Sequence, residues 1–168
     1  MNPFAKEFQR VNVFIDTQNI YHSAKNLYGA KVDFKKLIDL LVGKRKLIHA
    51  FAYVIRSEFT PKEIDFFEAL ILQGIHLRIK EIQIYPDGTK KADWDIGIAI
   101  DVVRFSNLVD VIILVTGDGD FYHLVEYMQN QGKQVEIAGF SQTTSVKLKE
   151  IADFYYDLNE MKNLILIS

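Results

Sequence analysis

Two aspartates separated by one glycine follow an apolar run of the sequence. Residues 111–115 are all aliphatic, Asp118 and Asp120 come shortly after them, and an apolar helical pattern resumes at Phe121. One explanation is helix capping, because aspartate at a helix start accepts backbone N–H groups and suits the helix dipole. The other is a binding site, because open α/β sheets bind ligands beyond the carboxyl ends of their strands. These residues alone fit both explanations equally well.

A second polar group follows the first predicted strand. Residues 11–15 form a short run rich in β-branched and aromatic side chains, which stops at Asp16, and Asn19 comes next in the same loop. The loops after parallel strands open at one edge of a sheet, so Asp16 and Asn19 can converge with Asp118 and Asp120. This convergence favours a site over a simple cap.

A third acidic segment precedes a predicted helix over residues 96–107. Asp93 and Asp95 can point at the same edge, and Asp101 lies among hydrophobic residues, where a carboxylate must be paired or coordinated. Carboxylates gathered in a small volume repel one another unless they are protonated or share a cation. Oxygen ligands, no cysteine and only four histidines favour Mg²⁺ or Mn²⁺ over zinc.

Composition indicates one ordinary globular domain. The chain has 168 residues, of which 49% are hydrophobic and 25% charged. The absence of cysteine fits a reducing compartment, so we expect a cytoplasmic protein. No apolar stretch approaches the roughly 18 residues of a membrane span, and residues 1–10 lack the apolar centre of a signal peptide, so no membrane association is expected. A net charge of −2 gives no global basic footprint for nucleic acid.

Helical and strand patterns alternate along the chain. The five predicted strands cover residues 11–15, 47–55, 75–79 with an extension to 85, 111–115 and 135–138, and residues 154–156 are a candidate for a last strand. The predicted helices cover 20–28, the stretch between Asp33 and Gly43, 61–73, 96–107, 121 to the stop at Gly132, and 145–152. This alternation predicts a three-layer α/β/α fold with a central, mainly parallel sheet of about five strands.

Two segments carry further expectations. The helix over 96–107 has apolar residues on nearly every side, so we expect it to be deeply buried. Residues 1–10 are expected to form an N-terminal lead, 11–158 the domain, and 159–168 a C-terminal tail whose apolar residues pack on the body or on a second subunit.

Several common chemistries have no signature in the sequence. No Gly-x-Gly-x-x-Gly follows the first strand and no Walker Gly-Lys-Ser/Thr is present, so no dinucleotide cofactor is expected. The histidines are scattered, and only His123 adjoins the acidic loop.

Three short motifs together resemble the NYN domain family, in its bacterial, LabA-like branch. They are Phe-Ile-Asp-Thr-Gln-Asn at 14–19, the segment containing Lys91, Asp95 and Asp101, and Val-Thr-Gly-Asp-Gly-Asp-Phe at 115–121. The resemblance covers residues 10–158. NYN domains are similar to PIN-domain ribonucleases, so it implies a PIN-like fold, an acidic Mg²⁺ or Mn²⁺ pocket and RNA as substrate.

The resemblance also assigns roles to residues of this sequence. It implies a catalytic set and, within it, four metal ligands, with Asp93 or Asp101 as alternatives for Asp95. The catalytic set is Asp16, Asn19, Asp95, Asp118 and Asp120, and the metal ligands are Asp16, Asp95, Asp118 and Asp120. The implied reaction is hydrolysis of an RNA phosphodiester by a metal-activated water.

Other residues near these motifs are candidates for contact with the substrate. Lys91, Lys90 and Thr116 are candidates for phosphate or substrate contact, and Trp94 or Tyr21 for base stacking. A surface lysine or a packed aromatic residue explains most of them as well. Thr116 stands where many relatives have serine, and Gly119 where serine is common, and neither change removes an acid.

Two other functions compete with a ribonuclease. One is a regulatory module that binds RNA or a protein partner, or forms a homodimer, and rarely uses its acidic pocket. The other is a phosphatase or nucleotide hydrolase, against which the residues after Asp16 count, since Thr17 and Gln18 do not complete an Asp-x-Asp pair.

Overall fold

A parallel sheet of six strands forms the centre of the computed structural model, which describes residues 2–57 and 60–168. In chain order the strands are β1 (Arg10–Asp16), β2 (Lys31–Val32), β3 (Lys46–Arg56), β4 (His76–Glu81), β5 (Gln83–Ile84), β6 (Lys90–Lys91), β7 (Val111–Val115), β8 (Gln134–Gly139), β9 (Phe154–Asp157) and β10 (Leu166–Ile167). The helices are α1 (Thr17–Tyr28), α2 (Phe34–Val42), α3 (Pro61–Leu72), α4 (Asp95–Phe105), α5 (Tyr122–Asn130), α6 (Val146–Ile151) and α7 (Lys162–Ile165).

The main sheet has the order β4-β3-β1-β7-β8-β9, and every neighbouring pair in it is parallel. Alternate residues of β1 enter different cores: Val13 packs on one face with residues of α1 and α2, and Phe14 on the other with residues of α4 and α5. The predicted three-layer fold with a parallel central sheet is therefore confirmed, with six main strands rather than about five.

The chain leaves the two central strands in opposite directions. β1 continues through α1 and α2 to β3 on one side, whereas β7 continues through α5 to β8 on the other. Their carboxyl ends are level, since Ile15 pairs with Val115. This is the topological switch point of the sheet, where the diverging loops leave a crevice that binds ligands in open α/β folds.

Helix α4 is less buried than its composition predicts. Only Ile98, Asp101 and Val102 are buried in it, and Ile96 and Ile100 keep 76% and 50% of their surface exposed. The expectation of deep burial is wrong because a helix on the outer face of a three-layer fold meets the sheet along one face only. An apolar face of α4 therefore remains open to solvent.

The terminal segments pack on the domain. β10 pairs antiparallel with β2, and Ile165 of α7 is fully buried in the core. At the other end, Asn2 donates a hydrogen bond of 2.8 Å to the buried carboxylate of Glu136. Residue 1 of the expected N-terminal lead lies outside the described residues. The predicted extension of the edge strand to 85 is wrong, because β4 ends at Glu81 and a separate hairpin of β5 and β6 follows.

Within residues 2–57 and 60–168, no helix combines the length and the hydropathy that crossing a membrane requires.

Candidate active site

An aspartate caps the helical turn that follows each central strand: Asp16 is the last residue of β1, and Asp118 lies in the loop after β7. Asp16 Oδ1 accepts a 3.4 Å hydrogen bond from the backbone N–H of Asn19 in the first turn of α1. Asp118 Oδ1 accepts one of 2.9 Å from the N–H of Asp120, at the start of the 3₁₀ turn 119–121. Capping therefore accounts for how Asp16 and Asp118 are oriented. It leaves Asp120, whose own side chain is exposed, without a capping role.

Hydrogen bonds across the crevice hold the two loops together. Thr116 Oγ1 donates to Asp16 Oδ2 at 3.0 Å and accepts from the N–H of Asp118 at 3.2 Å. Asn19 Oδ1 accepts from the N–H of Gly117 at 2.9 Å. Two polar side chains, Thr116 and Asn19, thus fix the loop after β7 relative to the loop after β1.

Close packing requires glycine in the loop after β7. A Cβ on Gly117 would lie 2.2 Å from the carbonyl oxygen of Thr143, which belongs to backbone and cannot rotate away. At Gly119 a Cβ would lie 2.7 Å from Ser145 Oγ and 2.9 Å from Lys147 Cε. Residues at the start of α6 therefore pack against this loop, and the side chain of Lys147 lies at its edge.

Three carboxylates come together at this edge of the sheet. Asp95, at the first residue of α4, joins Asp118 and Asp120, and each offers an oxygen within 4.8 Å of the others. Asp16 lines an adjoining cavity of about 250 Å³ together with Asp95, Asp118 and Asp93. The four carboxylates predicted as metal ligands thus meet at the crevice, with three of them in the tightest group.

The electrostatics of the site reflect this crowding. Burial, followed by the charges of Asp118, Asp16 and Asp93, raises the pKa of Asp95 to about 6. The pKa of Asp16 is also raised, chiefly by burial, while its hydrogen bonds from Thr116 and Asn19 act in the opposite direction. Carboxylates that resist ionisation in each other's presence are stabilised when a cation joins them.

Asp101 belongs to a different polar cluster. It is buried, and its carboxylate accepts hydrogen bonds from Tyr53 Oη at 2.9 Å, Arg78 Nε at 3.0 Å and Arg104 Nη1 at 3.2 Å. These partners satisfy the expectation that a buried carboxylate must be paired. The geometry consequently disfavours Asp101 as an alternative to Asp95, whereas Asp93 remains at the rim, where it accepts from the Asp95 N–H at 3.3 Å.

The residues predicted to contact substrate occupy different places around the site. Lys91 is exposed in β6, where it pairs with Gln83 in the hairpin. Thr116 is 2% exposed and its hydroxyl is engaged with Asp16 and Asp118, which supports a positioning role rather than contact with a substrate. Trp94 lines the acidic cavity, but its indole Nε1 donates to the carbonyl of Val54 at 2.9 Å and its ring packs on Tyr53.

Sequence reasoning missed three residues that line the acidic cavity, namely Gln18, His22 and Tyr53. The spacing of Gln18 and His22 places them on one face of α1 and could have indicated both. Tyr53 pairs in register with Asp16, a relationship that only the strand order reveals. Lys80 was also missed: its ammonium lies 4.4 Å from the Trp94 ring and donates to the carbonyl of Asp93.

The fold and site define an α/β protein with a carboxylate cluster at the switch point of a parallel sheet. The model of the NYN domain family matches residues 10–159, so the chain belongs to the NYN domain family. The resemblance drawn from the three motifs is confirmed.

Two proteins illustrate the relationship. The chain is 24% identical over 163 residues to the low amplitude and bright protein LabA of Synechococcus elongatus, covering 93% of this chain and 87% of that protein. A crystal structure of VPA0982 from Vibrio parahaemolyticus, a protein of unknown function, superimposes with a TM-score of 0.86 at 30% identity. That match covers 97% of this chain and 99% of the other.

Proposed function

We propose that the protein hydrolyses RNA phosphodiester bonds with Mg²⁺ or Mn²⁺ held by the carboxylate cluster. The observation that carries this proposal is the meeting of Asp95, Asp118 and Asp120 within 4.8 Å at the sheet's switch point, in a chain of the NYN domain family. RNA as the substrate class follows from the family's similarity to metal-dependent ribonucleases. The cytoplasm as the place of action is proposed because a chain without cysteine fits a reducing compartment.

The donor set fits a hard divalent cation. The three clustered groups are all carboxylates, and Asp16 adds a fourth in the adjoining cavity. Oxygen ligands of this kind suit Mg²⁺ or Mn²⁺. The raised pKa of Asp95 is a second sign of fit, because burial and then the neighbouring negative charges disfavour its ionisation, and a bound cation would offset both. A bound divalent cation supplies Lewis-acid activation of water and neutralises charge on a phosphate.

The chain's own residues give this site its order. Thr116 and Asn19 hold Asp16 and the loop carrying Asp118 in one fixed arrangement before any ligand arrives. Because these carboxylates are already held in place, the site needs little rearrangement as charge develops during hydrolysis. Lys147 is exposed beside Gly119 and brings a positive charge to the edge of the loop after β7, where it is available to attract a phosphate.

Asp118→Asn provides the direct test. We expect it to reduce Mn²⁺-dependent cleavage of a mixed RNA pool by at least about tenfold, because the variant loses a charged ligand and keeps the side-chain shape. Asp65→Asn is the matched control, since Asp65 is an exposed acid on α3. Chelation with EDTA should abolish cleavage by wild type. Equal cleavage by wild type and Asp118→Asn would contradict the proposal.

A regulatory module is the second candidate function, and the net charge of −2 favours it, because a protein that attracts RNA electrostatically is usually basic. Purified protein that binds RNA or a partner but never cleaves in Mn²⁺ would support this alternative. A panel of small phosphomonoesters assayed beside RNA distinguishes both candidates from a phosphatase.

A further inference from the structure

An open apolar groove adjoins the carboxylate cluster. It lies between α4 and α5 and has a volume of about 780 Å³. Its apolar lining comes from Ile96, Ile100 and Val103 on the α4 side and from Phe121, Leu124 and Tyr127 on the α5 side. Ile96 is 76% exposed, and Ile100 and Tyr127 are each 50% exposed. A concave apolar surface of this kind is characteristic of a binding site.

The groove is continuous with the candidate active site. Asp95 lines both the groove and the acidic cavity, and Asp120 lines the groove as well. The carboxylate cluster therefore lies between two depressions: a polar one beside Asp16 and an apolar one between α4 and α5. A group bound at the cluster has the apolar groove directly beside it.

We propose that this groove binds an unpaired nucleobase of the nucleotide adjoining the phosphate held at the carboxylate cluster. The inference rests on the proposed function and adds to it a subsite for one base, in the groove between α4 and α5. A nucleotide is anionic at one end and flat and largely apolar at the other. The groove has the same polarity, with a cation-binding cluster at one end and aliphatic and aromatic side chains along its length.

The lining indicates how such a base is recognised. The groove accepts any base, because every base has a flat face that can stack on Tyr127 and contact Ile100. His123 and Arg104 are the polar side chains that line the groove apart from the two aspartates, and Arg104 is already bonded to Asp101. We therefore expect weak sequence preference and a strong preference for unpaired bases, since a base held in a duplex cannot enter the groove.

An apolar protein helix would occupy the same surface but, without a basic residue at its end, would leave Asp95 and Asp120 uncompensated. A cation-bound nucleotide accounts for both parts of the groove. If the groove instead bound a second copy of the chain, the groove variants would change the oligomeric state, which sedimentation measures.

The test uses Ile100→Gln, which removes apolar surface from the groove without adding charge and keeps a good helix former. Ile64→Gln is the matched control, because Ile64 has 47% exposure on α3. The probe is a fluorescent single-stranded oligoribonucleotide, intact or with one abasic residue scanned along it, and its binding is followed by anisotropy in Ca²⁺. Tyr127→Ser, on the opposite wall, is a second variant should Ile100→Gln misfold.

We expect Ile100→Gln to weaken binding of the intact strand by about fivefold or more, in line with the effect of removing one base contact. Binding of the strand with the critical abasic position should be equal in wild type and variant, and Ile64→Gln should bind as wild type. Unchanged binding by both groove variants would overturn the inference. So would equally tight, variant-sensitive binding of a duplex, or a variant-dependent change from dimer to monomer in sedimentation.

Cleavage of the oligoribonucleotide in Mn²⁺ separates this inference from the proposed function. Ile100→Gln should slow cleavage of the intact strand at sub-saturating concentration in proportion to its weaker binding, whereas Ile64→Gln should cleave it as wild type does. If wild type cleaves no RNA in Mn²⁺, yet base-dependent binding persists, the catalytic proposal fails and the base site stands. If wild type cleaves the strand but the groove variants do not affect RNA binding, the base site fails and the catalytic proposal stands.

Discussion

Thr116 Oγ1 donates a hydrogen bond of 3.0 Å to Asp16 Oδ2, across the crevice between the carboxyl ends of β1 and β7. The same hydroxyl accepts from the backbone N–H of Asp118. One buried side chain thus joins two acids that are distant in sequence. Thr116 does not need to contact a substrate to influence the site, because it sets where two of the four carboxylates lie.

Replacing Thr116 by valine tests this positioning role. Valine keeps the shape and removes the hydroxyl, so Asp16 loses an orienting donor and the Asp118 N–H loses an acceptor. We expect Mn²⁺ affinity to fall by about tenfold, which is the usual scale for a residue that orients a ligand. Isothermal titration with Mn²⁺ measures the affinity.

Thr116→Ser is the matched control for this experiment. Serine restores the hydroxyl, and we expect it to recover most of the Mn²⁺ affinity. The free energy of unfolding should fall by about 1–2 kcal/mol in the valine variant, because a buried acceptor and donor lose their partner. Wild-type affinity in Thr116→Val would show that Asp16 is held adequately without the hydroxyl.

Burial of the Asp95 carboxylate, together with its crowding by other carboxylates, should lower the stability of the metal-free protein. The pKa of Asp95 is raised to about 6, above the ordinary value of 3.8, so its protonated form is favoured more in the folded state than in the unfolded state. The resulting destabilisation is complete above about pH 6 and disappears as the pH falls towards about 4. The burial-driven shift of Asp16 has the same sign.

Asp95→Asn should therefore stabilise the metal-free protein at neutral pH, by about 1–2 kcal/mol after allowance for solvent screening at this partly exposed group. Urea denaturation in EDTA at about pH 7 and about pH 5 measures the effect, and the gain over wild type should shrink at the lower pH. Asp110 does not interfere in this range, because its hydrogen bond from Arg10 lowers its pKa to about 2. If Asp95→Asn were less stable than wild type at both pH values, the ionised Asp95 carboxylate would not destabilise the metal-free protein.

Local patterns were sufficient to predict some parts of the site, and tertiary arrangement determined the rest. Asp16 and Asp118 follow short buried strands, and that strand-to-turn pattern is visible in the sequence. The open face of α4 was not predictable, because a helix with apolar residues all round does not show which side meets the sheet. The pairing of Asp101 with Arg78 depends on β4 and α4 lying within reach, which periodicity does not reveal.

Asp95 and Asp101 lie on the same helix, and the sequence left open whether one of them or Asp93 serves as the third ligand. The structure separates them: Asp95 faces Asp118 and Asp120, whereas Asp101 binds Tyr53, Arg78 and Arg104. Asp101→Asn removes the charge that two arginines share and keeps the shape of the side chain. We expect it to lower the free energy of unfolding by about 2–3 kcal/mol, since one partner of a buried ionic cluster is lost.

The same two substitutions should have opposite effects on metal binding. Asp101→Asn should keep Mn²⁺ affinity close to that of wild type, because its carboxylate lies outside the cluster, whereas Asp95→Asn should lose at least about tenfold. Urea denaturation and Mn²⁺ titration on both variants give the full comparison. Loss of Mn²⁺ affinity in Asp101→Asn with Asp95→Asn unaffected would assign the third ligand to Asp101. Because the stability effects also have opposite signs, general unfolding cannot produce the expected pattern.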